Sequence, residues 1–230
     1  DGVEGEYPND MCSVFGGPAW TYVPELKQYY FHQFAPQQPD LNWENPRVRQ
    51  EIYDIMRYWV GKGVEGFRLD VITRLKKMPG FPDTKAEPDP LLDRNGFVVD
   101  TSMCTNIDGI HEIVQELYRE VFGPRDCMTV GEGAEVTYQN ALDYVCASRK
   151  ELDMVYHFEL ASRARYSISP EFFRNVQKNW AGVMAHNAWP VQFMSNHDTA
   201  RQVSCYGCDS DEYRADSAKM LATFVHTTPG

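Results

Sequence analysis

The stretch "GVEGFRLDVI", Gly63–Ile72, is rich in residues that favour β-strands and follows a glycine-rich break. Arg68 and Asp70 stand two residues apart within it. Side chains at positions i and i+2 of a strand point to the same face. We therefore predict a buried strand whose end places a cation beside a carboxylate on one face.

On both sides of this strand the sequence alternates between helical and extended patterns. The helices are predicted over residues 45–63, 107–123, 137–148, 169–185 and 211–227, and the other strands over residues 127–132, 153–160 and 189–198. Such alternation predicts an α/β fold with parallel strands and crossover helices. A doubly wound sheet and a (β/α)₈ barrel both fit this pattern, but no GxGxxG follows any strand, which weighs against a dinucleotide-binding sheet.

Two segments fall outside the alternation. Residues 1 to 40 are rich in Gly, Pro, Trp and Tyr and predict loops with one short strand in "QYYFHQF", residues 28–34. Residues 79–105 are too rich in Pro and Asp for a helix. The first residue is not Met and the chain stops on turn residues, so we expect both ends to be cuts through a larger protein. The lack of a signal peptide then says nothing about localisation.

Composition narrows the classes of partner. Lys and Arg total 22 against 33 Asp and Glu, a net charge of −11, which disfavours nucleic acid and anionic membranes. No apolar run approaches the roughly 18–20 residues of a membrane helix. The six cysteines show no disulfide framework beyond one CxxC at Cys205 and Cys208, and reduced thiols fit a cytoplasmic protein.

Carboxylates follow three of the predicted strands at the point where each strand ends. These are Asp70, Glu132 and Asp198, the last preceded by His197. In a parallel barrel these strand ends form one rim, where active sites are built. Taken singly, each residue is more often a cap, a turn former or a solvated group, but three at matching positions indicate a shared pocket.

Three such carboxylates suit glycoside hydrolysis. This reaction needs one ionised carboxylate, one protonated carboxyl group and stabilisation of a developing positive charge. Arg68 would keep Asp70 ionised, because an opposite charge favours the charged form. Neighbouring carboxylates would raise the pKa of Glu132, so that it carries a proton near neutral pH.

Four segments, "GFRLDVI", "TVGE", "FMSNHD" and "QPDLNW", together resemble conserved segments of the α-amylase family of retaining glycoside hydrolases, in its oligo-1,6-glucosidase and α-glucosidase branch. The resemblance implies a partial (β/α)₈ TIM barrel, strands four to seven with their helices, over residues 42–230. Residues 1–41 would belong to an inserted B domain. It also implies that Asp70 is the nucleophile, Glu132 the general acid/base and Asp198 the third carboxylate.

The resemblance further implies substrate-binding roles. Arg68 would orient the nucleophile, and His197 would bind the sugar in the pocket. Val71, directly after the nucleophile, is typical of members that prefer α-1,6 bonds. "NHDTAR" replaces the common "NHDQPR", which leaves the outer subsites near Arg201 open. Related amylases use an aspartate at the position of Asp40 to bind calcium, but this branch generally does not, so we predict no metal and no cofactor.

We therefore expect retaining hydrolysis of short α-glucosides through a covalent glycosyl-enzyme, with α-1,6-linked isomalto-oligosaccharides as substrates. A transglycosylase or isomerase, such as a sucrose isomerase or trehalose synthase, is the first alternative. A non-catalytic, transporter-associated relative is the second. The sugar-binding "DxxxNH" motif, barrel strands one to three and strand eight are absent, so we expect residues 1–230 alone to aggregate and to be inactive.

Overall fold

The structure, a computed structural model, describes residues 2–84, 91–162 and 169–230. The chain divides into two units, each built from two stretches of sequence: residues 1–52 with 74–110, and residues 53–73 with 111–230. The predicted domain boundary after residue 41 stays a prediction. Residues 85–90 of the predicted loop segment lie outside the described residues.

The first unit contains a short antiparallel hairpin. Strand β1, Trp20–Val23, pairs with strand β2, Gln28–Phe31, so that Trp20 lies opposite Phe31. The rings of these two residues are 5.0 Å apart and pack in an aromatic core, in which the indole Nε1 of Trp20 donates to Asn9 Oδ1 at 2.7 Å. The sequence predicted β2 but treated β1 as loop, because the surrounding Gly and Pro residues hide its short β-favouring run "WTYV".

Helix α1, Pro46–Gly61, begins at the predicted position, with proline in the first turn. It leads into the parallel sheet of the second unit. The strands are β3 (Gly66–Leu69), β4 (Met128–Glu132), β5 (Met154–Tyr156) and β6 (Trp189–Val191), in the order β3-β4-β5-β6. All three neighbouring pairs are parallel. The predicted strand order along the chain is therefore the order in the sheet.

Helices lie between these strands and after the last of them. They are α2 (Ile110–Leu117), α3 (Ala141–Val145), α4 (Glu159–Ser162), α5 (Pro170–Met184), α6 (Gln202–Tyr206) and α7 (Arg214–Thr227). Helix α2 continues into a π-helical turn, Tyr118–Phe122. Ser169 caps helix α5, because its hydroxyl accepts from the backbone N–H of Phe172 at 3.1 Å.

Strands β5 and β6 are shorter than predicted. Each has three residues, and the residues predicted to extend them lie outside the strands, with the start of the short helix α4 among those after β5. The described part of the chain contains no helix with the length and apolar composition needed to cross a bilayer. All six cysteines are free thiols.

Candidate active site

The parallel register of β3 and β4 brings the first two predicted carboxylates together. Leu69 pairs with Gly131, so the next residues in register are Asp70 and Glu132. Asp70 lies in the turn just after β3, and Glu132 is the last residue of β4. Both side chains therefore start from the C-terminal edge of the sheet, as the sequence predicted.

A single guanidinium contacts both carboxylates. Arg68 Nη1 donates to Asp70 Oδ1 at 2.7 Å, and Arg68 Nη2 donates to Glu132 Oε2. The contact with Asp70 was expected from the i, i+2 spacing. The contact with Glu132 depends on the strand register and could not be found from local sequence.

The two carboxylates differ in exposure and in pKa. The side chain of Glu132 is 13% exposed, whereas that of Asp70 is 71% exposed. Burial, and secondly the neighbouring Asp70, raises the pKa of Glu132 to about 7. A hydrogen bond with Glu132, and secondly the bond from Arg68, holds the pKa of Asp70 below its ordinary value. The direction for Glu132 agrees with the prediction, but burial is a larger cause than its carboxylate neighbours.

Val71, directly after Asp70, has a backbone conformation that β-branched residues rarely adopt. Its φ is +46°, in the left-handed region, which costs on the order of 1–3 kcal/mol. The chain then enters a 3₁₀ turn, Ile72–Arg74, whose Ile72 and Thr73 are buried. The turn directs the chain off the sheet immediately after Asp70 and leaves that carboxylate at the rim.

Glycines on both sides of Glu132 allow the chain to pack closely behind it. A Cβ at Gly131 would lie 2.6 Å from Leu152 Cδ1 and 3.0 Å from Ile72 Cγ2. A Cβ at Gly133 would lie 2.4 Å from Val136 Cγ2. The "GEG" sequence thus lets the side chains of Leu152, Ile72 and Val136 pack closely around the backbone of Glu132. A larger residue at either glycine position would clash with them.

The third carboxylate and the predicted histidine lie on the loop after β6. His197 Nε2 and Asp198 Oδ2 are 3.3 Å apart, and both side chains are exposed. The charge of Asp198 contributes to the raised pKa of Glu132, and that of His197 contributes to the lowered pKa of Asp70. The loop is fixed by Asn196, whose Oδ1 accepts from the Asp198 backbone N–H at 3.0 Å.

A cavity of about 240 Å³ opens beside these groups, but neither Asp70 nor Asp198 is among its lining residues. Its charged and polar lining is Arg68, Glu132, His197, Ser195 and Asn196, and its aromatic lining is Tyr156, Phe158 and Phe193. Asp70 reaches this lining through its contacts with Arg68 and Glu132. Val71 and Arg201 do not line the cavity, and Arg201 is an exposed residue at the start of α6.

The aromatic residues of the cavity were missed by the sequence reasoning. Phe193 contacts Tyr156 and Phe158 edge to face, with ring centroids 5.6 Å and 5.0 Å apart. Their position in the sequence could have indicated them: Tyr156 is the last residue of β5, and Phe158 and Phe193 lie two residues after the ends of β5 and β6. Rings placed there can contact the apolar C–H faces of a sugar, whereas the charged side can act on its polar atoms.

A larger cavity, of about 510 Å³, lies within the first unit and has mainly aromatic and aliphatic walls. Both carboxylates of its lining are already paired. Asp40 contacts Lys77 Nζ at 2.5 Å and accepts from Gln33 Nε2 at 2.7 Å, and Glu44 contacts Lys76 Nζ. Within residues 2–84, 91–162 and 169–230, no group of three or more His, Cys, Asp or Glu is arranged to hold a metal ion. Because the strand-end carboxylates lie at the smaller cavity, that cavity is the candidate active site.

Comparisons with known proteins identify the family and the fold. The family described as "Alpha amylase, catalytic domain" matches residues 1–230. The chain is 40% identical to an oligo-1,6-glucosidase of Parageobacillus thermoglucosidasius in an alignment of 237 positions, which covers 100% of this chain and 41% of that protein. It is 41% identical to an α-glucosidase of Pediococcus pentosaceus in an alignment of 233 positions, which covers 97% of this chain and 41% of that protein.

Among solved structures, the trehalulose synthase of Pseudomonas mesoacidophila MX-45 is similar, with a TM-score of 0.89 and 34% identity over 100% of this chain and 41% of that one. The chain thus spans about 41% of the length of the proteins it matches. Together with the four-stranded parallel sheet, this likeness confirms the predicted fold class, a partial (β/α)₈ barrel.

Proposed function

Since this chain belongs to the α-amylase catalytic-domain family, as its motifs predicted, we propose that it carries the catalytic centre of a retaining glycoside hydrolase acting on short α-glucosides. One observation carries the proposal. Arg68 connects Asp70, whose pKa is lowered, to Glu132, whose pKa is about 7. One anion and one proton donor, side by side at neutral pH, are what retaining hydrolysis needs.

In the first step, Asp70 Oδ attacks the anomeric carbon while Glu132 donates its proton to the glycosidic oxygen. The bond to the leaving group breaks, the alcohol departs, and a covalent glycosyl ester forms on Asp70. In the second step, Glu132, now ionised, takes a proton from water, whose oxygen attacks the same carbon. The ester bond breaks, which releases the sugar and restores both residues.

The surrounding residues have supporting roles in this proposal. Arg68 keeps Asp70 ionised and directed at the sugar, because its guanidinium donates to that carboxylate. His197 and Asp198 lie beside the cavity and would bind sugar hydroxyls. Arg201, exposed at the start of α6, would contact an outer part of a longer substrate. The mechanism requires neither a cofactor nor a metal.

The bond that is cleaved is the finer part of the proposal. Val71 favours α-1,6 linkages, and the similarity to an oligo-1,6-glucosidase supports isomaltose-type substrates. The test is turnover of isomaltose and of maltose by the full-length protein, with and without Asp70→Asn. We expect faster cleavage of isomaltose and the loss of both activities in the variant. Faster cleavage of maltose would contradict the linkage, and an active Asp70→Asn protein would contradict the mechanism.

An isomerase on the same centre is the second candidate. The similarity to a trehalulose synthase favours it, because an isomerase can share the steps up to the covalent intermediate. The two functions differ in what attacks that intermediate, water or the displaced sugar. Chromatography of the products from sucrose separates them: glucose with fructose supports the hydrolase, whereas a rearranged disaccharide supports the isomerase.

We also infer where and in what form the activity occurs. The six free thiols fit a reducing compartment such as the cytoplasm. The sheet has unpaired edges at β3 and β6 within the described residues, so the activity would belong to the full-length protein rather than to residues 1–230 alone. Hydrolysis by a monomer of residues 1–230 would contradict this.

A further inference from the structure

We propose that His157 and Gln192 are positioning residues that hold the aromatic side of the cavity in place, an inference that rests on the proposed function of that cavity. Backbone pairing between β5 and β6 ends where Tyr156 lies opposite Val191. The next residues in register are His157 and Gln192. Their side chains are joined by a hydrogen bond of 3.0 Å between His157 Nε2 and Gln192 Oε1. The link between the strands thus continues one residue beyond the backbone ladder.

This side-chain bond joins the two cavity walls from behind. Tyr156 and Phe158, on either side of His157, line the cavity, whereas His157 itself is fully buried. Phe193, directly after Gln192, also lines the cavity. Because side chains alternate along extended chain, the rings point to one side and the hydrogen-bonded pair to the other.

The backbone ladder at this point needs support. Strands β5 and β6 have three residues each, and the central residue of β6 is Pro190, which has no backbone N–H to donate. The side-chain bond therefore adds to a short backbone ladder and to the ring contact between Tyr156 and Phe193. A specific bond at their base fixes the spacing between the rings.

The chemistry of the pair is determined by its surroundings. The ring of His157 stacks on Trp180 at 4.3 Å with an angle of 24°, and burial lowers the pKa of His157 to about 4. The imidazole is therefore neutral at working pH. Gln192 Nε2 donates to the carbonyl of Pro229 at 3.3 Å, so Gln192 Oε1 must accept from the protonated Nε2 of His157.

The expected consequence is a change in substrate affinity with little change in chemistry. Arg68 lies on β3, Asp70 directly after it and Glu132 at the end of β4, and none of them forms a hydrogen bond or ion pair with His157 or Gln192. Loosening the pair would shift Phe193 against Tyr156 and misplace the surfaces that contact the sugar. The effect should therefore appear in KM more than in kcat.

The test uses Gln192→Met and His157→Phe in the full-length protein, each close in size to the original residue. We expect each variant to raise KM for an α-glucoside about tenfold, with kcat changed less than about threefold. The KM of the double variant should be no higher than that of either single variant, because both substitutions remove the same hydrogen bond. KM does not depend on the folded fraction, so loss of stability alone would not produce this result.

Thr129→Val is the matched control. It removes the hydrogen bond of 2.9 Å between Thr129 Oγ1 and Asp153 Oδ2, which lies towards the opposite end of the sheet. We expect a lower Tm and an unchanged KM. If His157→Phe fails to fold, the KM of Gln192→Met alone provides the test, because Gln192 is only partly buried and its substitution should be tolerated better.

Two results would overturn the inference while the proposed function stands: an unchanged KM in Gln192→Met, or single effects that multiply in the double variant. A wild-type protein that neither binds nor cleaves α-glucosides would overturn the proposed function, and this inference with it.

Discussion

At the ends of β3 and β4 the rim of the candidate site carries the charged cluster of Arg68, Asp70 and Glu132, whereas at the ends of β5 and β6 it carries aromatic rings, with His197 and Asp198 further along the loop after β6. On the charged side, Arg68 holds Asp70 and Glu132 through direct ionic hydrogen bonds. On the aromatic side, Phe193 is held by ring contacts and by the neighbouring bond between Gln192 and His157. Electrostatics positions the reacting groups, and packing positions the surfaces that contact the substrate. The two sides should therefore fail in different ways.

Glu132→Gln tests the charged side and should have the largest effect. Removing the general acid/base should lower kcat by roughly 10²–10⁴ for an unactivated α-glucoside. For a nitrophenyl glucoside, the rate of the first step should fall much less, because its leaving group needs no proton. Steady-state and burst kinetics on both substrates provide the measurement.

Glu135→Gln is the matched control for Glu132→Gln. Glu135 lies three residues further along the chain and accepts from Thr73 Oγ1 at 2.8 Å. We expect it to leave kcat within about threefold, as for substitutions outside the reacting groups. Equal losses in the two variants would show that Glu132 has no special role.

Arg68→Met should shift both limbs of the pH profile. In the wild type, kcat/KM should fall as pH rises through about 7, where Glu132 loses the proton it must donate. Arg68 lowers the pKa of both carboxylates, so its removal should move the acid limb, set by Asp70, and the alkaline limb, set by Glu132, to higher pH.

The rate at the optimum should also fall about 10- to 100-fold in Arg68→Met, because Asp70 loses its orienting donor. Arg68→Lys keeps the positive charge, but an ammonium group cannot donate to both carboxylates as a guanidinium does. Compared with Arg68→Met, it should bring the two limbs of the pH profile closer to the wild type than it brings the rate at the optimum. A pH profile unchanged in Arg68→Met would show that the two carboxylates titrate independently of this residue.

Phe193→Leu tests the aromatic side and should have the smallest effect. The loss of its edge-to-face contacts should raise KM about 3- to 10-fold with little change in kcat. Phe224→Leu in α7, which loses a ring contact of 5.1 Å with Phe173 away from the cavity, should leave KM unchanged. If Phe193→Leu lowered kcat and left KM unchanged, the claim that the aromatic side acts on substrate binding and the charged side on the chemical step would be wrong.

The same contrast explains how much the sequence could predict. Asp70 and Glu132 were found because a carboxylate at the end of an apolar strand is locally conspicuous. The parallel strand order followed from the alternation of patterns, and the family followed from four short motifs. Tyr156 and Phe193 were missed because an aromatic residue in an extended segment looks the same whether it faces the core or a cavity.

Other features required three-dimensional information. The bond between His157 and Gln192 joins residues 35 positions apart and depends on the register of β5 and β6. The positive φ of Val71 contradicts the backbone preference of a β-branched residue, so no local propensity would have indicated it. Strand β1 was lost in a Gly- and Pro-rich segment.

The sharing of Arg68 between two carboxylates has a consequence for the whole catalytic cycle. Before reaction, the cluster holds one positive guanidinium, an ionised Asp70 and a protonated Glu132, and its net charge is zero. In the proposed intermediate, Asp70 is an ester and Glu132 is ionised, and the net charge is again zero. The negative charge moves from one arm of the arginine to the other, both already in contact in the resting protein. Both half-reactions could then proceed without recruiting or releasing a counterion, and the site would return to its starting electrostatic state after each turnover.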